Sequence, residues 1–77
     1  MPTIVRLNGF RFYFYSHVPN EPPHVHIDKG KATIKVWLDS LEVAKSRGLR
    51  AHEISGIIDM LKERLAMFSE QWHEYFS

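Results

Sequence analysis

The chain has 77 residues, a formal net charge of +1 and no cysteine. This length is typical of one small domain, and the absence of cysteine excludes disulfides and cysteine–zinc sites. The small net charge excludes nucleic-acid binding by bulk charge alone, so any such contact needs a local basic patch. No apolar run approaches the roughly 18 residues of a membrane span. We therefore expect a single domain over residues 1–77, in the reducing cytoplasm and without a membrane partner.

The first half of the chain is predicted to form strands, beginning with a hairpin at Asn8-Gly9. This dipeptide, between two alternating runs, is the strongest short hairpin signal. With these two residues as the loop, Leu7 faces Phe10, and the register continues to Ile4 opposite Tyr13. The apolar face, predicted to form the core, carries Val5, Leu7, Phe10, Phe12 and Phe14. The opposite face carries Ile4, Arg6, Arg11, Tyr13 and Tyr15.

A proline-rich loop over residues 16–23 leads to a second predicted hairpin. Lys29-Gly30 is the predicted turn, which places His26 opposite Thr33 and His24 opposite Lys35. The side chains again separate into two faces. The apolar face carries Val25, Ile27, Ala32, Ile34, Val36 and Leu38. The opposite face carries His24, His26, Asp28, Thr33, Lys35 and Trp37.

The second half of the chain is predicted to be helical. Residues 39–42 have the spacing of a capping box, and a short helix is expected to end at Gly48. A longer helix is expected over about residues 51–74, because apolar residues recur at three- and four-residue steps. We therefore predict an α+β fold, with strands within about residues 3–38 and helices within about residues 40–75. In this fold a four-stranded antiparallel sheet of two hairpins is covered on one face by a short and a long C-terminal helix.

The sheet face away from the helices combines basic, aromatic and imidazole side chains. Aromatic rings interleaved with basic groups are typical of single-stranded nucleic-acid platforms, where bases stack on rings and phosphates contact Arg or Lys. The candidate residues for binding nucleic acid or another anion are Arg6, Arg11, Tyr13, Tyr15, Lys35 and Trp37. The same residue types also line solvated surfaces, so a plain surface, a homodimer interface or a partner interface is the alternative.

His24 and His26 alternate with apolar residues and support three interpretations. As an acid–base pair they could cleave RNA without a metal, one accepting the 2′-hydroxyl proton and the other protonating the leaving group. As ligands they could bind zinc, with a further ligand from His17, Glu21 or Asp28. As structural residues they would hydrogen-bond into the proline-rich loop. No cofactor is favoured, and zinc is the alternative.

Four segments together carry a family resemblance. They are Gly9-Phe10-Arg11-Phe12-Tyr13-Phe14-Tyr15-Ser16, Glu21-Pro22-Pro23-His24-Val25-His26, Val36-Trp37-Leu38 and Trp72-His73-Glu74-Tyr75-Phe76. In these segments the chain resembles short bacterial proteins known only as a domain of unknown function, family 4160. The family usually has Asn in place of His73 and Ser near Arg50.

The resemblance implies no assigned activity, but it does imply a partner. Members of the family are often encoded beside another small protein, in an arrangement like a toxin–antitoxin pair. By association, this favours a nucleic-acid- or partner-binding module of a two-protein system. The expected partners are RNA or the small protein encoded by the neighbouring gene.

Overall fold

The computed structural model describes residues 3–14 and 21–76 of the chain. Its elements are β1 (Thr3–Leu7), β2 (Phe10–Tyr13), β3 (His24–Lys29), β4 (Ala32–Trp37), β5 (Val43–Arg47), α1 (Ala51–Glu63) and α2 (Leu65–Phe76). The strands form one antiparallel sheet in the order β1-β2-β3-β4-β5. The predicted α+β fold with an antiparallel sheet and C-terminal helices is confirmed, but the sheet has five strands rather than four.

The first hairpin turns at Asn8-Gly9, as predicted. Both residues have positive φ, +51° and +84°, which is what a type I′ turn requires. The pairs next to the turn follow the predicted register. The predicted pairing of Ile4 with Tyr13 is wrong, because an irregularity in β1 places Thr3 opposite Tyr13 instead.

The second hairpin has a different turn from the predicted one. The turn residues are Gly30 and Lys31, and Lys29 belongs to the ladder. His26 consequently lies opposite Lys35 rather than opposite a threonine. The observed strand register differs from the predicted one by two residues in total. Because side chains alternate with a period of two, each one keeps its predicted face of the sheet.

The short helix predicted over residues 39–48 is wrong, because this segment forms a turn followed by β5. In the turn, the Ser40 backbone N–H donates to Asp39 Oδ1 at 2.7 Å, and the Glu42 N–H donates to Ser40 Oγ at 3.2 Å. Such local bonds between side chain and backbone compete with helix formation. Leu41 has a φ of +59°, which no right-handed helix contains. The chain therefore reverses and pairs with β4.

The long predicted helix is divided into α1 and α2 at Arg64, which has φ −122° and ψ 21°. A straight helix over residues 51–76 would be about 39 Å long, whereas the Cα atoms extend 34 Å along their longest axis. The strands, of at most six residues, span about 20 Å. The break therefore lets both halves pack on the sheet. No helix in the described ranges is long and apolar enough to cross a membrane.

The two helices pack on one face of the sheet, as predicted. Phe12 and Leu61 are fully buried, and the rings of Phe12 and Phe68 stack with their centroids 5.4 Å apart. The core consists of Phe10, Phe12, Phe14, Val25, Ile27, Ile34, Val36, Leu38, Ile57, Leu61, Phe68 and Trp72. This core contains all the apolar residues that were predicted for the inner face of β2, β3 and β4, with the exception of Ala32.

Two glycines should respond to substitution in opposite directions. Gly48 follows β5 with a φ of +79°, and an added Cβ would lie 3.2 Å from Ala32 Cβ. We expect Gly48→Ala to lower the free energy of unfolding by roughly 1–2 kcal/mol, because the backbone conformation and the close contact both oppose a side chain. At Gly56, within α1, an added Cβ meets nothing within 4 Å. Gly56→Ala should therefore raise the free energy of unfolding by roughly 0.5–1 kcal/mol.

Urea denaturation of the two variants measures both effects in the same fold. A Gly48→Ala protein as stable as the wild type would contradict the close approach of β5 to β4 at this point.

Candidate functional site

The sheet face opposite the helices, here called the outer face, carries side chains in rows that cross the strands. The first row crosses all five strands and consists of Arg6, Arg11, Asp28, Thr33 and Arg47. The second row consists of Tyr13, His26, Lys35 and Lys45. The third row consists of His24 and Trp37. Neighbouring strands lie about 4.8 Å apart, so side chains within a row can contact one another.

Strand β5 contributes two cations that the sequence analysis did not predict. Lys45 lies directly opposite Lys35, and Arg47 lies opposite Thr33. Both side chains are exposed. The predicted helix over residues 39–48 would not place either cation on the sheet. The alternation of Lys45-Ser46-Arg47 is the signal that could have found them, since it has the period of a strand.

The outer face is more basic than the chain as a whole. Its rows carry five of the ten Lys and Arg residues and one of the nine Asp and Glu residues, and a second carboxylate, Glu21, lies beside Lys35. The helical segment over residues 51–76 has the opposite excess, with five acidic residues and two basic ones. This separation creates the local basic patch that the net charge of +1 conceals.

Lys35 lies at the centre of the basic part of the outer face. Its Nζ forms an ion pair with Glu21 Oε1 and lies 4.6 Å from the centroid of the Trp37 ring, a cation–π distance. The hydrogen bond and the charge of Lys35 hold the pKa of the Glu21 carboxyl below its usual range. Lys35 therefore joins the segment before β3 to the indole at the end of β4.

An open groove of about 750 Å³ lies over β3, β4 and β5. Its volume is within the range of small-molecule sites. The charged and aromatic side chains that line it are Glu21, His26, Lys35, Trp37, Lys45 and Arg47. Lys45 and Arg47 have no ion-pair partner among the described residues. The groove therefore combines an aromatic ring with two cations whose charge no carboxylate of residues 3–14 and 21–76 neutralises in an ion pair.

The prediction that Tyr13 is exposed on this face is wrong. Its side chain is only 3% exposed, and its hydroxyl donates to Asp28 Oδ1 at 3.0 Å. The Tyr13 ring stacks on His26 with centroids 5.5 Å apart, and the Arg11 guanidinium lies 4.5 Å from its centroid. Tyr13 therefore supports its neighbours rather than offering a ring to a ligand. Tyr15 and His17 lie outside the described residues.

His24 is fully buried, so the prediction that it lies on an uncovered face is also wrong. Its ring centroid is 5.0 Å from that of Trp72 in α2 and 5.5 Å from that of Trp37. Its Nδ1 is 2.9 Å from the carbonyl oxygen of Pro22. Because a carbonyl only accepts, Nδ1 carries the proton. This is the bond into the proline-rich segment that the structural interpretation expects, and it leaves Nε2 buried without a hydrogen-bond partner in the described part of the chain.

His26 is partly buried, and its imidazole is neutral at pH 7. Burial, with smaller contributions from the charges of His24 and Lys35, lowers its pKa from 6.5 to about 4. A neutral imidazole can accept a proton but cannot donate one as an acid. Two-histidine cleavage of RNA needs both roles at groups that the substrate reaches. With His24 buried and His26 neutral, the site is better suited to binding.

The zinc alternative remains a prediction. Among residues 3–14 and 21–76, no group of three or more His, Cys, Asp or Glu side chains lies close enough together to hold a metal ion. His17, one of the predicted ligands, is outside these ranges.

The pKa of His26 should make the stability of the protein depend on pH. Between pH 6.5 and about 4 the unfolded chain binds more protons at this residue than the folded chain, so the free energy of unfolding decreases as pH falls. We expect His26→Gln to remove roughly 1 kcal/mol of the loss between pH 7 and pH 5, a value reduced for the partial exposure of the ring. Denaturation curves at the two pH values measure it. His52→Gln, at an exposed position of α1, is the control and should retain the full loss; a wild-type pH dependence in His26→Gln would contradict the assignment.

Comparison with known proteins gives one family. The family model described as a domain of unknown function (DUF4160) matches residues 9–73. Neither the curated proteins nor the solved structures contain a match to the chain. The family match covers β2 to α2, and with them the groove and most of the outer face. The chain therefore belongs to the DUF4160 family, as its sequence motifs predict.

Proposed function

We propose that the outer face binds single-stranded RNA, and that the protein is the RNA-directed member of a two-protein system in the cytoplasm. The observation that carries this proposal is the position of Lys45 and Arg47, which extend the basic rows of the outer face beside Lys35 and Trp37. Phosphates and bases of a single strand require this combination of cations and an aromatic ring.

Directly opposed like charges support a polyanionic ligand. Lys35 lies opposite Lys45, and Arg6 lies opposite Arg11. Like charges in such cross-strand pairs destabilise a sheet. An anion placed between two cations removes this repulsion, and a polynucleotide supplies one phosphate per residue. Glu21 already pairs with Lys35, and Asp28 lies beside Arg11 in the first row. A phosphate would therefore neutralise Lys45 in one pair and Arg6 in the other, and two such positions on one face favour a ligand with several phosphates.

A partly exposed indole favours a single strand over a duplex. Trp37 lines the groove beside the cations. The base faces of a duplex are hidden by stacking, whereas the unstacked bases of a single strand can stack on an aromatic side chain. Cleavage of the RNA is not part of the proposal, because the buried His24 cannot contact a substrate.

RNA affinity should depend on salt in proportion to the phosphate contacts. For single strands, the slope of log K against log salt changes by about −0.7 for each phosphate contacted. We expect Lys45→Gln to weaken binding of a short single-stranded RNA. The slope should become shallower by about 0.7, which corresponds to the loss of one phosphate contact. Lys62→Gln, an exposed change on α1, is the matched control because it removes the same charge from the opposite layer. Fluorescence anisotropy at several salt concentrations measures both.

Absence of RNA binding at low salt would contradict the proposal. So would equal losses in Lys45→Gln and Lys62→Gln, since equal losses indicate a general effect of charge. If the product of the neighbouring gene binds the outer face and RNA does not, the face is a protein interface instead.

A further inference from the structure

The groove on the outer face has two chemically different ends. Trp37 lines it from the third row, whereas Lys45 and Arg47 line it from the second and first rows. We propose that this groove binds a single nucleotide unit, with the base against Trp37 and the phosphate at Lys45 and Arg47. The inference rests on the proposed function and deepens it, because it assigns a base and a phosphate to separate parts of the surface.

The strand register sets the separation between the two ends. Lys45 lies opposite Lys35, and Trp37 follows Lys35 by two residues on the same face of β4. Residues two apart on a strand are about 7 Å apart. Lys45 is one strand spacing of about 4.8 Å to the side of Lys35, so the backbones of Trp37 and Lys45 are roughly 8–9 Å apart. Side chains that extend from these two positions can contact the base and the phosphate that one ribose joins. Arg47 lies about 7 Å further along β5 and its long side chain can reach the same phosphate.

The distribution of charge fixes the orientation of the nucleotide. Glu21 neutralises Lys35 beside the Trp37 ring, and its carboxylate repels a phosphate from this end. Lys45 and Arg47 are exposed and have no ion-pair partner in the described ranges. An arginine offers a planar fork of donors to a phosphate and a lysine adds a point charge. The phosphate is therefore directed to β5 and the base to the end of β4.

The space available suits this ligand. The groove is open and has a volume of about 750 Å³, and sites for ligands of this size usually have volumes of roughly 300–1,000 Å³. Ala44, whose side chain is a single methyl group, lies in the irregular step of β5 and is one of the lining residues. A bulky side chain does not block the passage between the two ends at this residue.

Tryptophan fluorescence tests the groove with small probes. We expect adenosine 5′-monophosphate to change the fluorescence saturably. Adenosine and inorganic phosphate should each bind at least about tenfold more weakly, because each lacks the contacts of one end. Trp37→Leu should abolish the fluorescence change, since Trp72 is buried in the core and away from the groove lining.

Charge variants locate the phosphate. Lys45→Gln and Arg47→Gln should each weaken the affinity for adenosine 5′-monophosphate by roughly tenfold and leave the melting temperature unchanged, because both residues are exposed. Arg6→Gln, on β1 at the other side of the outer face, is the matched control. It should leave the affinity for the mononucleotide unchanged while weakening the binding of a longer RNA.

The results separate this inference from the proposal on which it rests. If RNA binds but the mononucleotide does not, the nucleotide site in the groove is wrong and the RNA-binding face stands. The same conclusion follows if RNA binds and mononucleotide binding survives both Lys45→Gln and Arg47→Gln. If the mononucleotide binds as described and RNA does not, the groove is supported as a site for free nucleotides and the RNA proposal is wrong. If neither binds, both are wrong.

Discussion

Side chains alternate between the two faces of a strand, and the helices pack on one face of this sheet, with Trp72 of α2 also reaching His24 at the end of the other face. The rest of the structure depends on this constraint. The inner face is filled by aromatic and aliphatic side chains packed on α1 and α2, as in the stack of Phe12 on Phe68. A slip of one residue would expose this entire set and bury charged groups in its place. Burial of the inner face thus determines which residues reach the outer face, where the proposed ligand binds.

The segment Glu21-Pro22-Pro23-His24-Val25-His26, which is the most specific part of the family resemblance, holds the sheet and α2 together. Glu21 pairs with Lys35 of β4, and the Pro23 carbonyl accepts from the Leu38 N–H at 2.9 Å in the turn after β4. His24 packs on Trp72 of α2. The alternating histidines therefore have a structural explanation that needs no catalysis. Their position also fixes the place of Lys35 and Trp37 in the groove.

The turn between β4 and β5 has the largest effect on the proposed function. The side chains of Asp39 and Ser40 accept hydrogen bonds from backbone N–H groups of the turn, and Leu41 has a positive φ. Together they reverse the chain where the sequence pattern predicted a helix. The reversal places Lys45 and Arg47 beside Lys35. A helix over the same residues would have carried these cations away from the sheet edge. The conformation of this short turn therefore creates the basic end of the groove.

The sequence by itself determined the first hairpin, the faces of β2, β3 and β4 and the packing of helices on the inner face, because these follow from a turn dipeptide and from local periodicity. It did not determine the course of residues 39–48. The same residues can form a helical capping box or an Asp–Ser turn, and the outcome depends on whether the following segment pairs with a strand. Nor did it determine the break at Arg64, because the apolar repeat of residues 51–74 continues through this position. The burial of Tyr13 and His24 was decided by tertiary structure alone, because alternation gives the face of a side chain but not what covers it. Local patterns fix the direction of each side chain, and only the packing of distant segments decides which of them remain available to a ligand.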